Sequence, residues 1–303
     1  MSDQVRIVEV GPRDGLQNEK TPVGAEARIA LIKALVAAGL HTIEVGAFVS
    51  PKAIPQMVNS DQVLRGLGGL NGEFHVLVPN EKGYEAAHAA GAKVIAVFAS
   101  ASEGFSRANI NCSVAQSIER FKPVLARADA DGIKVRGYIS CVLGCPFDGE
   151  VKPQAVVNVA KLLWDLGCYE VSLGDTIGVG TPLKARQLLR AVAGAVPMAN
   201  LAMHFHDTYG QALANLYAGM EEGARVMDCA AGGLGGCPYA PGATGNVATE
   251  DVVYMLEGLG VATGVDMQKL VAASNEVSRL LGRSPVSRVA AAINAKARIA
   301  NGE

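Results

Sequence analysis

Eight short, β-branched apolar runs recur along these 303 residues, and each is followed by a longer amphipathic stretch. The runs are Val5–Val10, His41–Val45, Phe74–Val78, Lys93–Ala99, Lys134–Cys141, Tyr169–Leu173, Leu201–His206 and Arg225–Cys229. Near-continuous apolar character is what strands of a parallel sheet need, because helices cover one face and the sheet's own interior the other. Helical spacing is visible in Gly24–Ala38, Ser113–Ala130, Pro153–Leu166, Thr181–Ala195 and Tyr209–Glu222. Glycines such as Gly39, Gly91, Gly132, Gly167 and Gly223 stand where helices hand over to strands, the usual place for a left-handed cap. Eight such units in series predict an α/β protein, a (β/α)8 TIM barrel. Segments Met255–Gly258, Gln268–Leu281 and Val286–Ile299 exceed the eight units. They predict a last barrel helix and a helical C-terminal extension over 262–303, within a single catalytic domain spanning 1–303. An open doubly wound sheet is the rival, but Gly11-Pro12-Arg13-Asp14-Gly15 lacks the dinucleotide fingerprint expected after its first strand.

Composition narrows the functional classes. Half the residues are hydrophobic, 18% are charged, and the net charge is −2. A chain so balanced has no basic surface for nucleic acid, and no apolar run reaches bilayer length. The N-terminus enters the first strand without a secretory or transit pattern, which predicts a cytoplasmic protein. Cys112, Cys141, Cys145, Cys168, Cys229 and Cys237 match no zinc or disulfide spacing.

In a barrel, chemistry sits where strands end at their C-terminal rim. Strand seven ends in His204-Phe205-His206, and strand alternation turns both imidazoles to one face. Strand one runs into Arg13-Asp14, strand two carries Glu44, strand six ends near Ser172 and Asp175, and strand eight leads to a glycine-rich segment holding Cys237 and Asn246. One carboxylate, two imidazoles and a carboxamide (Asp14, His204, His206, Asn246) form a mixed oxygen–nitrogen set suited to Mg2+ or Mn2+. The bland alternatives are a loop cap for Asp14, a left-handed turn for Asn246 and a helix cap for Asp207. Arg13 beside a cation needs negative charge between them, from a bound anion or a developing oxyanion; its ordinary role is a salt bridge to Glu44 or Asp175. Cys237, in a glycine-rich loop beside a metal, is a candidate acid or nucleophile.

The stretches Val8–Lys20, Ser172–Gly178, His204–Asn215 and Gly233–Tyr239 resemble the 3-hydroxy-3-methylglutaryl-CoA lyases, of the metal-dependent aldolase-like barrels. The resemblance runs from Val5 to about Leu281. It implies retro-Claisen cleavage of a 3-hydroxyacyl-CoA thioester to acetyl-CoA and acetoacetate. It also implies metal ligation by Asp14, His204, His206 and Asn246, catalytic roles for Arg13 and Cys237, and supporting acids at Glu44 and Asp175. Asp175 is its first candidate base, a metal-bound water the second. Substrate contacts would fall on Arg13, Gln17, Asn109 and Ser172, and a homodimer is expected by analogy. Ala47, Ala53 and the preamble Ala230–Leu234 depart from the family pattern. They leave open a related or longer 3-hydroxyglutaryl-type thioester. A Claisen-type synthase running the reverse chemistry and a regulatory barrel without activity are the remaining readings.

Overall fold

Parallel strands cannot be joined by tight hairpins, so each strand here needs a crossover, and the helices supply it. The computed structural model describes residues 4–236 and 245–300. Eight parallel strands close on themselves in chain order, β1 through β8, with β1 also pairing with β8. They are β1 (Arg6–Glu9), β2 (Thr42–Ala47), β3 (Glu73–Leu77), β4 (Val94–Ser100), β5 (Lys134–Ser140), β6 (Glu170–Asp175), β7 (Leu201–Phe205) and β8 (Val226–Cys229). Around them run α1 (Ala25–Ala37), α2 (Ser60–Arg65), α3 (Glu81–Ala89), α4 (Glu103–Ile110), α5 (Val114–Ala130), α6 (Pro153–Asp165), α7 (Pro182–Ala193), α8 (Ala212–Glu221), α9 (Thr249–Gly258), α10 (Met267–Leu280) and α11 (Arg288–Ala300). All eight expected strands form, so the predicted TIM barrel is the observed architecture.

The differences have local causes. Helices α2, α3 and α4 are short, at six, nine and eight residues. Asn80 and Ser102 nevertheless cap α3 and α4 by accepting from Gly83 N and Phe105 N. The strand expected to reach Cys141 stops at Ser140, because Cys141 takes a left-handed φ of 62° and gives its N–H to Thr176 Oγ1. Thr181 stands at the N-cap of α7 as expected, with Pro182 at the first helical position, but its hydroxyl makes no capping bond. Helix α10 packs against α1 and α9, so part of the C-terminal region completes the outer ring.

Apolar packing lies mainly between sheet and helices, where Ile32, Leu35, Phe121, Leu163, Leu188 and Leu216 are fully or almost fully buried. The barrel interior is different. Barrels of this kind are usually filled by layers of branched aliphatic side chains; here Glu44, His75, Arg136, Glu170, Ser172 and Asp228 are buried on the strands. Among the described residues, no helix is long and apolar enough to cross a membrane.

Candidate metal centre and active site

Backbone geometry brings the ligands together. Directly after β1 the chain makes one π-helical turn, Gly11–Gly15, closed by the Gly15 N–H to Val10 O bond at 3.2 Å. Pro12 fits at the start of that turn because its missing N–H would have had no intrahelical partner. The wider turn carries Arg13 and Asp14 over the barrel mouth, and such turns are frequent at functional sites. Across the mouth, His204 at the end of β7 and His206 just beyond it stand together, with ring centroids 5.3 Å apart. Asn246 arrives from the far arm of the glycine-rich segment, where its backbone pairs with His206 and Gly245 O accepts from Asp207 N at 2.9 Å. Only glycine serves at 245: φ is +85° and a Cβ would stand 2.5 Å from the Gly235 carbonyl carbon. Asp207 itself accepts from Ala212 N at the start of α8, which is a capping role.

The potential ligand atoms of Asp14, His204 and His206 all lie within 4.8 Å of one another, and among the described residues this is the one such cluster. Asn246 Nδ2 donates to Asp14 Oδ2 at 2.8 Å, so the carboxamide lies against the same carboxylate. His206 Nδ1 is buried with no hydrogen-bond partner, and Asp14 Oδ2 stands 3.9 Å from His204 Nε2. A buried, unsatisfied imidazole nitrogen is costly unless something binds it. A carboxylate beside two imidazoles with an open nitrogen therefore suits a divalent cation. Burial works against ionising Asp14, but Arg13, the two imidazoles and the Asn246 bond outweigh it and hold its pKa down to about 2. The ligand set thus carries its negative charge at neutral pH.

Arg13 is held in a fork. Its Nε donates to Glu44 Oε2 at 2.6 Å, Nη2 meets the same oxygen at 2.6 Å, and Nη1 reaches Asp14 Oδ1 at 2.8 Å. The Tyr138 ring lies 5.6 Å from its guanidinium carbon. Burial alone would favour the neutral form, but Glu44 and Asp14 override it and keep Arg13 firmly protonated. Guanidinium carries five N–H donors, so Nη1 and Nη2 each retain one for a ligand.

A cavity of about 460 Å3 opens above this centre. Arg13, Asp14, Gln17, Asn109, Tyr138, His204 and His206 line it together with apolar Val49, Ile54, Phe98 and Phe105. Gln17 and Asn109 therefore stand on the cavity wall, where a substrate contact needs them. Four expected site residues, Asp175, Ser172, Glu44 and Asn246, do not line it. Asp175 follows cavity-lining Gly174 on β6, so alternation turns it the other way. Its carboxylate accepts from Val179 N and Gly180 N on the loop that follows β6. Ser172 is fully buried below the wall, with Oγ donating to Asp228 Oδ2 at 2.8 Å, and does not contact the cavity. Glu44 bonds Arg13 instead of reaching the cavity. Cys237 falls outside the described residues.

Tyr138, Arg136 and Asp228 were not anticipated from the sequence. Tyr138 lines the cavity and meets His204 edge-on, with centroids 6.0 Å apart. Arg136 and Asp228 are charges placed inside otherwise apolar strand runs, and that placement was the available signal.

Fold and site together define a (β/α)8 enzyme whose rim carries a group of side chains that could hold a divalent cation. Residues 4–277 match the HMGL-like family, and the chain belongs to that family. It is 59% identical over 295 residues to the 3-hydroxy-3-isohexenylglutaryl-CoA/hydroxymethylglutaryl-CoA lyase of Pseudomonas aeruginosa, covering 97% of this chain and 98% of that protein. Identity to the hydroxymethylglutaryl-CoA lyase of Pseudomonas mevalonii is 54% over 293 residues, covering 96% of this chain and 97% of the relative. The crystal structure of hydroxymethylglutaryl-CoA lyase from P. aeruginosa superposes with a TM-score of 0.95 at 57% identity, over 98% of this chain and 99% of that one.

Proposed function

We propose that this protein is a carbon–carbon lyase that cleaves 3-hydroxy-3-methylglutaryl-CoA to acetyl-CoA and acetoacetate with the help of one Mg2+ or Mn2+. The observation that carries this reading is the cluster of Asp14, His204 and His206 beside a doubly anchored Arg13, at the floor of the cavity. Full-length similarity to lyases of that name supports the substrate.

Asp14, His204, His206 and Asn246 would hold the cation, and oxygen-plus-imidazole ligation favours Mg2+ or Mn2+ over a thiolate-seeking metal. Bound there, the cation would supply Lewis acidity, which makes the substrate's tertiary hydroxyl easier to deprotonate, its proton passing to a water in the cavity. The remaining work falls to the chain's own groups. Gln17 Oε1 is buried without a partner and accepts a hydrogen bond from the substrate. Breaking the carbon–carbon bond leaves a thioester enolate, whose oxyanion takes the free N–H groups of Arg13. Glu44 keeps that guanidinium aimed, since a planar fork binds well only when its plane is fixed. The apolar wall of Val49, Ile54, Phe98 and Phe105 excludes water that would otherwise screen these charges. Cys237 protonates the enolate carbon to release acetyl-CoA.

The deciding experiment supplies purified protein with Mg2+ and 3-hydroxy-3-methylglutaryl-CoA. Equimolar acetyl-CoA and acetoacetate support the proposal. No cleavage, or condensation of acetyl-CoA with a 2-oxo acid instead, overturns it.

A further inference from the structure

A charged column runs down the middle of the barrel beneath the candidate metal centre. At its top, Asp228 Oδ2 receives His204 Nδ1 at 3.2 Å, Ser172 Oγ at 2.8 Å and Arg136 Nη1 at 3.0 Å, while Oδ1 receives Arg136 Nη2 at 2.7 Å. Arg136 continues the column, with Nε on Glu170 Oε1 at 2.6 Å below and Nη1 on the Tyr138 hydroxyl at 2.6 Å on the cavity side. Glu170 in turn pairs with Arg6 at the opposite end of the barrel. Arg136, Ser172 and Asp228 are all at most 1% exposed. Strand register builds the column, since His204 stands beside Asp228 across β7–β8 and Arg136 beside Glu170 across β5–β6.

Desolvating so many charges stabilises a fold poorly compared with branched aliphatic residues, which makes a purely structural role a weak explanation. The contact to His204 offers a better one. An ionised carboxylate can only accept hydrogen bonds. Asp228 therefore favours a proton on His204 Nδ1, and in the neutral ring this leaves the Nε2 lone pair open on the side where Asp14 Oδ2 lies 3.9 Å away. Tyr138, standing edge-on at 82° and itself tied to Arg136, restricts the ring from another side. Both contacts act on the ring before any ligand arrives.

We propose that Asp228, anchored by Arg136 and Ser172, is the positioning residue that presets His204 for cation binding. This rests on the reading of Asp14, His204 and His206 as the cation's ligands. Carboxylates that receive the outer nitrogen of a ligating histidine typically contribute a factor of about 10–100 in metal affinity.

The test measures Mn2+ dissociation constants by calorimetry on metal-stripped wild type, Asp228→Asn and Ser172→Ala, beside 15N spectra of the histidines in the metal-free wild type. The expected results are a His204 tautomer protonated at Nδ1, an affinity loss of about 10–100-fold in Asp228→Asn and a smaller loss in Ser172→Ala. In both variants KM for the thioester at saturating Mn2+ stays near wild type, a split that general loosening of the barrel would not produce. A folded Asp228→Asn protein binding Mn2+ within about twofold of wild type overturns the proposal, because the expected factor is at least tenfold. If Asp228→Asn does not fold, a His204 proton on Nε2, or wild-type affinity in Ser172→Ala, overturns it. Wild type that binds no Mn2+ at all contradicts the cation reading itself, a failure distinguishable from both.

Discussion

Asn246 donates its side-chain amide to Asp14 at 2.8 Å across a sequence separation of 232, tying the last loop of the barrel to the first. This contact depends on the close approach of Gly245 to Gly235 and on the backbone pairing of Asn246 with His206. Replacing Asn246 by Ala removes the carboxamide without disturbing β7. The expected outcome is a loss of cation affinity of roughly tenfold or more, with the thermal midpoint nearly unchanged. Calorimetric Mn2+ titration and a melting curve check it.

Arg13 is read as the group that stabilises developing negative charge. Arg13→Met keeps much of the length but removes the donors. Turnover is expected to fall by about 10²–10³-fold, while Mn2+ binding survives because all four proposed ligands remain. Single-turnover rates and a metal titration on the same preparation separate the two effects. A variant that loses metal and turnover together would assign Arg13 to the cation site instead.

For Cys237, the expected effect lies in turnover alone. Cys237→Ser preserves size but raises the pKa of the proton donor far above the useful range. A general acid typically contributes about 10²–10⁴-fold, so kcat is expected to drop within that span with cation affinity intact. Wild-type kcat in this variant would remove Cys237 from the mechanism.

Two buried carboxylates predict a pH dependence of stability. Glu9 accepts from Gly11 N, Ala231 N and Thr249 Oγ1, and Glu250 accepts from Gly232 N and Ser274. Burial dominates over these bonds and pushes each pKa from 4.5 up to about 7. The folded state therefore holds these protons more tightly than the unfolded chain. Stability from the protonated forms is full below about pH 4.5 and is lost as the pH rises through about 7. Every tenfold gain in proton affinity on folding corresponds to about 1.4 kcal/mol. The thermal midpoint of wild type should accordingly fall across that window, and Glu250→Gln, which cannot ionise, should show a shallower fall. Equal slopes in the two proteins would contradict the assignment.

Eight strands could be read from the chain because apolar runs of a buried parallel sheet are long and distinctive, as in Lys93–Ala99 and Lys134–Cys141. His204 and His206 were legible for a related reason, since alternation alone puts them on one face. Depth and sidedness were harder. Ser172 and Asp175 both lie near the end of β6, yet one points inward below the cavity and the other outward into the next loop. Alternation separates the two faces, but which of them turns inward, and at what depth, follows from the pairing with β5 and β7. The π-helical turn at Gly11–Gly15 left no periodic trace in five residues. Arg136 and Asp228 were hidden because a lone charge in an apolar run reads as a surface position until its partner is seen across the barrel.

Anomalous diffraction from a crystal grown with Mn2+ tests the proposed cation site most directly. The expected result is a single strong peak within about 2.0–2.3 Å of a carboxylate oxygen of Asp14 and an imidazole nitrogen of each of His204 and His206, with Asn246 turned to offer its oxygen. A peak elsewhere in the barrel, or none between those three side chains at saturating Mn2+, would contradict it.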